Sequence, residues 1–317
     1  MKKMMIVSFV FLVACGVPAV APTATPLLPT DLPMPSPTMT PIPNELIDEK
    51  GGLMQLVPAG EFTMGSEHGA DDESPVHQVY LDAFYMDIYE VTNAAFAACV
   101  KDGGCSPPQN TSSHTRPDYY GNPEFDNYPV IYMSGYKAEE YCAWRGGRLP
   151  TEAEWEKAAR GVNEFTYPWG DTMDGTKLNS CDKNCTLSWS DQNMDDGYAD
   201  TAPVGSYESG RSPYGMYDMA GNVWEWVADS YDAAYYQTAP LSNPLGPDPD
   251  DQRVLRGGSW SDTADFTRST TRNSYFYYYY PDYVYSRFGF RCARDATPYQ
   301  TLSRRDNRLC GFLLRFH

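Results

Sequence analysis

Few side chains in this sequence could do redox or metal chemistry. The 317 residues include eight cysteines and four histidines. Cys99 and Cys105, and likewise Cys181 and Cys185, are spaced to close local loops. Cys142 with Cys292 would be a long-range staple, which leaves Cys310 over. Such pairing needs an oxidising compartment. The rival use of cysteine is a zinc centre, but His68, His77, His114 and His317 stand in no C-x-x-C or H-x-x-x-H setting. Disulfides are therefore expected, and zinc is not.

A second concentration of chemistry lies at residues 261–289. Seven tyrosines fall between Tyr275 and Tyr285, and the stretch has no Lys, Glu, Gln, Met, Trp, Leu or Ile. Tyrosine offers large, rather rigid amphipathic area, and small polar residues offer hydrogen bonds, as in adaptable recognition surfaces. A buried strand would be rich in Val, Ile and Leu instead. The candidate contact residues are Ser261, Asp262, Thr263, Asp265, Phe266, Thr267, Asn273, Tyr275, Tyr277, Tyr278, Tyr279, Tyr280, Tyr283 and Tyr285. The plainer alternative is a Tyr-rich loop packed on its own domain.

These residues need elements to position them and a compartment to work in. Lys2 and Lys3 precede an apolar run, Met4 to Ala14, too short to span a bilayer, which is the pattern of an export signal. It ends in Leu12-Val13-Ala14-Cys15, which resembles the lipobox of bacterial lipoproteins and makes Cys15 the expected lipidation site. An ordinary signal peptide is the alternative. Residues 16–50 read as a stalk. Over 17–43 Pro, Thr, Ala and Leu dominate and Asp31 is the single charge, a composition that gives an extended spacer without a core. The expected location is extracytoplasmic, at the bacterial envelope, held to the membrane through Cys15.

The remaining length suits one large or two small domains. With 42 acidic and 24 basic residues the net charge is −18, which argues against a nucleic-acid partner, since phosphate tracking draws on clustered Lys and Arg. Gly 25, Pro 26 and Tyr 25 favour a loop-rich fold over a helical bundle. Residues 53–64 and 76–91 read as short strands, broken at Pro58-Ala59-Gly60. Thr92 is placed to cap a helix that stops at Gly103-Gly104. A second helix is expected over 133–145. Thr151 and Glu154 form a capping box for a third, running to Gly161. Residues 296–317 change character: Arg304, Arg305, Arg308 and Arg315 join Cys310 and the apolar Phe312-Leu313-Leu314. A docking element, a membrane-surface contact and a non-native read-through all fit that tail.

Ordered blocks across residues 51–295 carry a family resemblance. They are Gly60-Glu61-Phe62-Thr63-Met64-Gly65-Ser66, Glu90-Val91-Thr92-Asn93, Arg148-Leu149-Pro150-Thr151-Glu152-Ala153-Glu154-Trp155-Glu156, Gly215-Met216-Tyr217-Asp218-Met219-Ala220-Gly221-Asn222-Val223-Trp224-Glu225-Trp226, Arg256-Gly257-Gly258-Ser259-Trp260 and Gly289-Phe290-Arg291-Cys292. Together they resemble the formylglycine-generating enzyme, or sulfatase-modifying factor, family. The resemblance implies a single compact α+β domain of low regular content, a variant of the C-type lectin fold. Its enzymes use copper and oxygen to convert a substrate cysteine to formylglycine.

The resemblance also implies a disulfide at Cys142–Cys292 and two calcium sites. The first would use Asn179 and Asp196 side chains with the carbonyls of Ser180 and Tyr198. The second would use Asp218 and Glu225 with the carbonyls of Gly221 and Val223. Hard oxygen donors on irregular loops suit calcium. The alternative is that these carboxylates are solvated or cap turns.

The family's copper-binding cysteines fall on Asp262 and Thr267, and copper(I) prefers thiolate. Copper is therefore not expected, although Trp224, Ser259 and Trp260 would keep a pocket. An iron centre would need a His and carboxylate triad. His77 reads as a structural residue.

Asp, Thr, Phe, Asn, Ser, Tyr and Val are all reachable by changing adenines in an AAY codon, and here they alternate with Ala264, Arg268, Arg272, Pro281 and Arg287. This resembles the variable region of retroelement-diversified proteins. It implies a diversified face at 261–263, 265–267, 273–280 and 283–286. The expected function is thus a lipid-anchored module binding protein or glycan. The alternative is a formylglycine-generating oxidase acting on a substrate protein cysteine.

Overall fold

A computed structural model describes residues 42–276 and 285–296. Cys15, the stalk up to residue 41, residues 277–280, Tyr283 and the tail from 297 with Cys310 lie outside the described residues.

Three short sheets carry the fold. β1 (Glu45–Ile47), β2 (Leu53–Val57), β5 (Phe84–Asp87) and β10 (Ala293–Asp295) form one antiparallel sheet in that order. β3 (Gly60–Met64) and β4 (His77–Leu81) form a two-stranded ribbon. β8 (Arg272–Phe276), β7 (Gln252–Arg256), β6 (Trp224–Ser230) and β9 (Phe288–Gly289) form the third sheet, with β6 and β9 parallel. The strands at 53–64 and 76–91 and the break at Pro58-Ala59-Gly60 fall where the sequence placed them.

The helices obey their caps. α1 (Asn93–Lys101) starts where Thr92 Oγ1 accepts from Ala95 N. α2 (Gly135–Trp144) is capped by Ser134, and α3 (Glu152–Arg160) has the full Thr151–Glu154 capping box and ends at Gly161, φ 66°. Every residue of α3 is buried, charged ones included. Its apolar side, Trp155, Ala158 and Ala159, packs with Phe62, Val79, Val227 and Val254. Buried charge is tolerable only when paired, and each charged group of α3 has a partner. Lys157 Nζ, for example, donates to the carbonyls of Pro58 and Gly60.

A second core joins Phe96 of α1 and Tyr141 of α2 to Trp226, Phe288 and Phe290. The three expected disulfides are present: Cys99–Cys105, Cys142–Cys292 and Cys181–Cys185. The second closes 150 residues of sequence and fixes α2 to the strand end beside β10.

Candidate functional site

The Gly257-Gly258 turn after β7 delivers Ser259 to Asp262 beside Trp224. A Cβ on Gly258, at φ +75°, would meet Phe266 O at 2.8 Å and Thr267 Cγ2 at 2.9 Å. Only glycine lets the next turn, Ala264–Thr267, close over it. Asp262 Oδ2 accepts from Trp224 Nε1 at 2.8 Å and from Ser259 Oγ in a very short bond. The Asp262 carbonyl accepts from Cys181 N at 2.9 Å, and the neighbouring Ser261 carbonyl accepts from Trp189 Nε1 at 2.9 Å. Trp260 packs with the Cys181–Cys185 pair, and the His114 ring lies 5.0 Å from it.

The expected contact residues divide. Asp265 and Phe266 are exposed, as is Tyr285, and Phe276 is 53 % exposed. Asp262, Thr263 and Asn273 are half-buried. Ser261 and Thr267 are corrections: both are buried, Thr267 donating its hydroxyl to Ala264 O, so neither presents a side chain to a ligand. Tyr275 is half-buried against Phe288 and Tyr285, which is the packed-loop alternative realised at one position. Trp224, Ser259 and Trp260 are buried and packed, not the walls of an open pocket. A cleft of about 880 Å³ exists elsewhere, beside Phe84, Arg148, Leu149 and Leu245, and none of the expected site residues lines it.

Arginines anchor the segment from beneath. Arg268 pairs with Glu73 at 2.6 Å, Arg272 with Glu152 at 2.7 Å, and Arg256 with Glu156 at 2.5 Å. Burial opposes ionisation of Glu73, but bonds from Arg268, Ala70 and Thr270 hold its carboxyl below the usual range. At Glu152 burial is likewise overcome, by Arg272 and Arg256. Arg287 reaches Ser261 Oγ at 3.3 Å and lies over the Tyr285 ring.

The first calcium set offers oxygen atoms of the kind that ion takes. Asn179 Oδ1 is buried with no hydrogen-bond partner, while its Nδ2 donates to Asp200 O and Asn222 Oδ1. Asp196 accepts from Ser180 N and Tyr198 N. Burial, with Asp182 adding, pushes the Asp196 carboxyl up to about 7 despite those bonds. An unsatisfied amide oxygen beside a desolvated carboxylate is what a hard cation relieves. Among the described residues no three His, Cys, Asp or Glu side chains converge on one point, so peptide carbonyls such as Ser180 and Tyr198 would complete that shell.

The second set does not fit as expected. Both Glu225 oxygens are held by Arg291 at 2.7 Å, and Trp155 Nε1 adds a third bond. Asp218, at φ 57°, accepts from Gly205 N, and burial pushes it up to about 6. A Cβ on Gly221 would strike Asn179 O at 2.1 Å, and Val223 N donates to Glu90. Glu90 and Asn222 are the residues that sequence reasoning missed. Glu90 is buried, accepts from Asn222 Nδ2 at 2.5 Å, and is pushed well up by burial and by Asp218 and Glu225. Both sit inside blocks quoted above, so position was available as a signal where role was not. His77 bonds Pro75 O through Nδ1 and stacks edge-on to Tyr236.

Comparison with known proteins adds the following. The model of the sulfatase-modifying factor enzyme 1-like domain matches residues 43–296. Formylglycine-generating enzyme of Streptomyces coelicolor is 35 % identical over 291 residues, covering 76 % of this chain and 88 % of that one. A Bos taurus protein named inactive C-alpha-formylglycine-generating enzyme 2 is 33 % identical, covering 77 % and 88 %. Serine/threonine-protein kinase Pkn1 of Chlamydia trachomatis is 36 % identical over 255 residues, but this chain spans only 38 % of its length. Among solved structures, PvdO of Pseudomonas aeruginosa matches with a TM-score of 0.61 at 26 % identity, covering 78 % and 95 %. Treponema denticola variable protein 1 matches in fold with 0.60 at 23 %, covering 77 % and 95 %.

Proposed function

The chain belongs to the family of sulfatase-modifying factor enzyme 1-like domains, and from that membership we propose that it is a binding member, presenting the face built on residues 261–286 to a protein or glycan ligand. One reading carries the proposal: the family resemblance puts its copper cysteines at Asp262 and Thr267. The Asp262 carboxylate is clamped by Trp224 and Ser259, and Thr267 is buried on its own turn. All six cysteines within the described residues are in disulfides, so none is left as a soft ligand. The membrane attachment we propose is through Cys15, and calcium would brace the loop carrying Asn179 and Asp196. No helix among the described residues is long and apolar enough to cross a membrane.

The second reading, an oxidase, is favoured by the 35 % identity to an enzyme of that name over most of both chains. Two experiments separate them. Codons 255–295 are resequenced from many cells of one population; variation confined to 261–263, 265–267, 273–280 and 283–286, in codons ending in C or T, supports a diversified binding face. A cysteine peptide incubated with the purified chain and copper is then weighed by mass spectrometry. Unchanged mass is expected, and formylglycine would establish the oxidase.

A further inference from the structure

The ligand chemistry of this face can be narrowed, on the premise that the binding reading holds. Asp262 is half-buried, and Oδ2 takes both donors, Trp224 Nε1 and Ser259 Oγ. Among the described residues no Lys or Arg pairs with it. Two arginines of the segment are committed to other carboxylates, Arg268 to Glu73 and Arg272 to Glu152, and Arg287 stops at Ser261 Oγ, 3.3 Å away, without forming an ion pair with Asp262. A partly desolvated carboxylate with no basic partner is a place for a cation supplied from outside.

Its surroundings favour an organic cation over a neutral group. Trp189 is 53 % exposed, yet its indole nitrogen bonds the Ser261 carbonyl, which holds the ring beside the Asp262 peptide. Phe266, on the following turn, is 49 % exposed. Aromatic faces attract guanidinium and ammonium groups, and do so more strongly where water is excluded. The adjoining loop adds exposed Asp191, tied by its backbone to Cys181 O, the residue whose N–H holds Asp262 O.

We propose that the Asp262 locus takes an arginine or lysine side chain of a protein ligand. The carboxylate would accept the charged donors and the Trp189 face would cover the alkyl stem. This makes the ligand a basic protein segment, not a glycan.

The test follows the Trp189 indole N–H resonance in the calcium-loaded chain. The probes are N-acetyl-arginine amide, N-acetyl-lysine amide, N-acetyl-glutamate amide and lactose. A saturable shift with the cationic probes alone is expected, weakened by salt and by about tenfold or more in Asp262→Asn. The arginine and lysine arms show which head group is preferred. Asparagine keeps an acceptor for Trp224 and Ser259; if the variant still fails to fold, salt dependence in the unaltered chain decides. A shift produced equally by lactose or the glutamate amide overturns the cation inference and leaves the binding face standing. Silence from every probe also overturns it. Codon resequencing decides the parent reading separately.

Discussion

Trp224 donates its indole N–H to Asp262 across 2.8 Å, tying the first residue of β6 to the carboxylate on which the proposed function turns. The bond gives the Asp262 position a fixed orientation without copper. Replacing Asp262 and Thr267 together by cysteine should create copper(I) affinity that the unaltered chain lacks. Competition with a colorimetric copper(I) chelator reads this directly. Equal competition by both proteins would show that the soft ligands lie elsewhere.

Calcium should raise the unfolding temperature. A ligand at 100 times its dissociation constant contributes about 2.7 kcal/mol, or about 5–10 °C for a domain of this size. Asn179→Ala should abolish the shift, because it removes the orphaned Oδ1. Asp218→Asn should leave it in place. Scanning calorimetry with chelator and with added calcium tests both.

The pair Arg272–Glu152 is fully buried. Arg272→Met should destabilise by up to about 3–5 kcal/mol, because Glu152 loses its 2.7 Å partner and keeps only Arg256, at 3.5 Å, which already serves Glu156. Adding Glu152→Gln should recover part of that loss. Urea unfolding of the two single variants and the double variant measures the coupling.

Asp229 is buried at the N-terminus of α3, its Oδ2 accepting from Glu152 N at 2.7 Å. Burial, with the Glu152 charge adding, pushes its carboxyl up to about 8. An unfolded aspartate titrates near about 3.9. Between those values the folded state holds the extra proton, so the Asp229 contribution to stability declines as pH rises, by at most about 1.4 kcal/mol per pH unit. Asp229→Asn removes that decline. Its stability relative to the unaltered chain should improve from pH 5 to pH 8.5, read from urea midpoints, and parallel curves would refute the assignment.

The sequence carried the local devices well. Thr92 and the Thr151–Glu154 box set helix starts through bonds between near neighbours, and such bonds depend on spacing alone. The close cysteine pairs were readable for the same reason. The site was less legible. Ser261 and Thr267 differ from Asp265 and Phe266 only in which side of a turn they occupy, and that is decided by Gly258 and by Trp189 across the fold. Glu225 reads as a metal ligand until Arg291, 66 residues away, takes both its oxygens. Glu90 owes its raised carboxyl to burial first and then to neighbours 128 and 135 positions on, Asp218 and Glu225. Long-range charge pairing leaves no periodic trace along a chain.

The arginine anchors have a consequence for how this segment can change over time. Arg268 and Arg272 are four positions apart, and each must reach a fixed carboxylate, Glu73 or Glu152. Swapping exposed neighbours such as Asp265, Phe266 and Phe276 alters the outline offered to the outside and leaves both attachments alone. Adding or removing one residue between them would pull a guanidinium off its mate and strand a buried charge. This stretch can therefore be respelled at its exposed positions but not recounted, and a lineage that rewrites it should conserve its length more strictly than its letters.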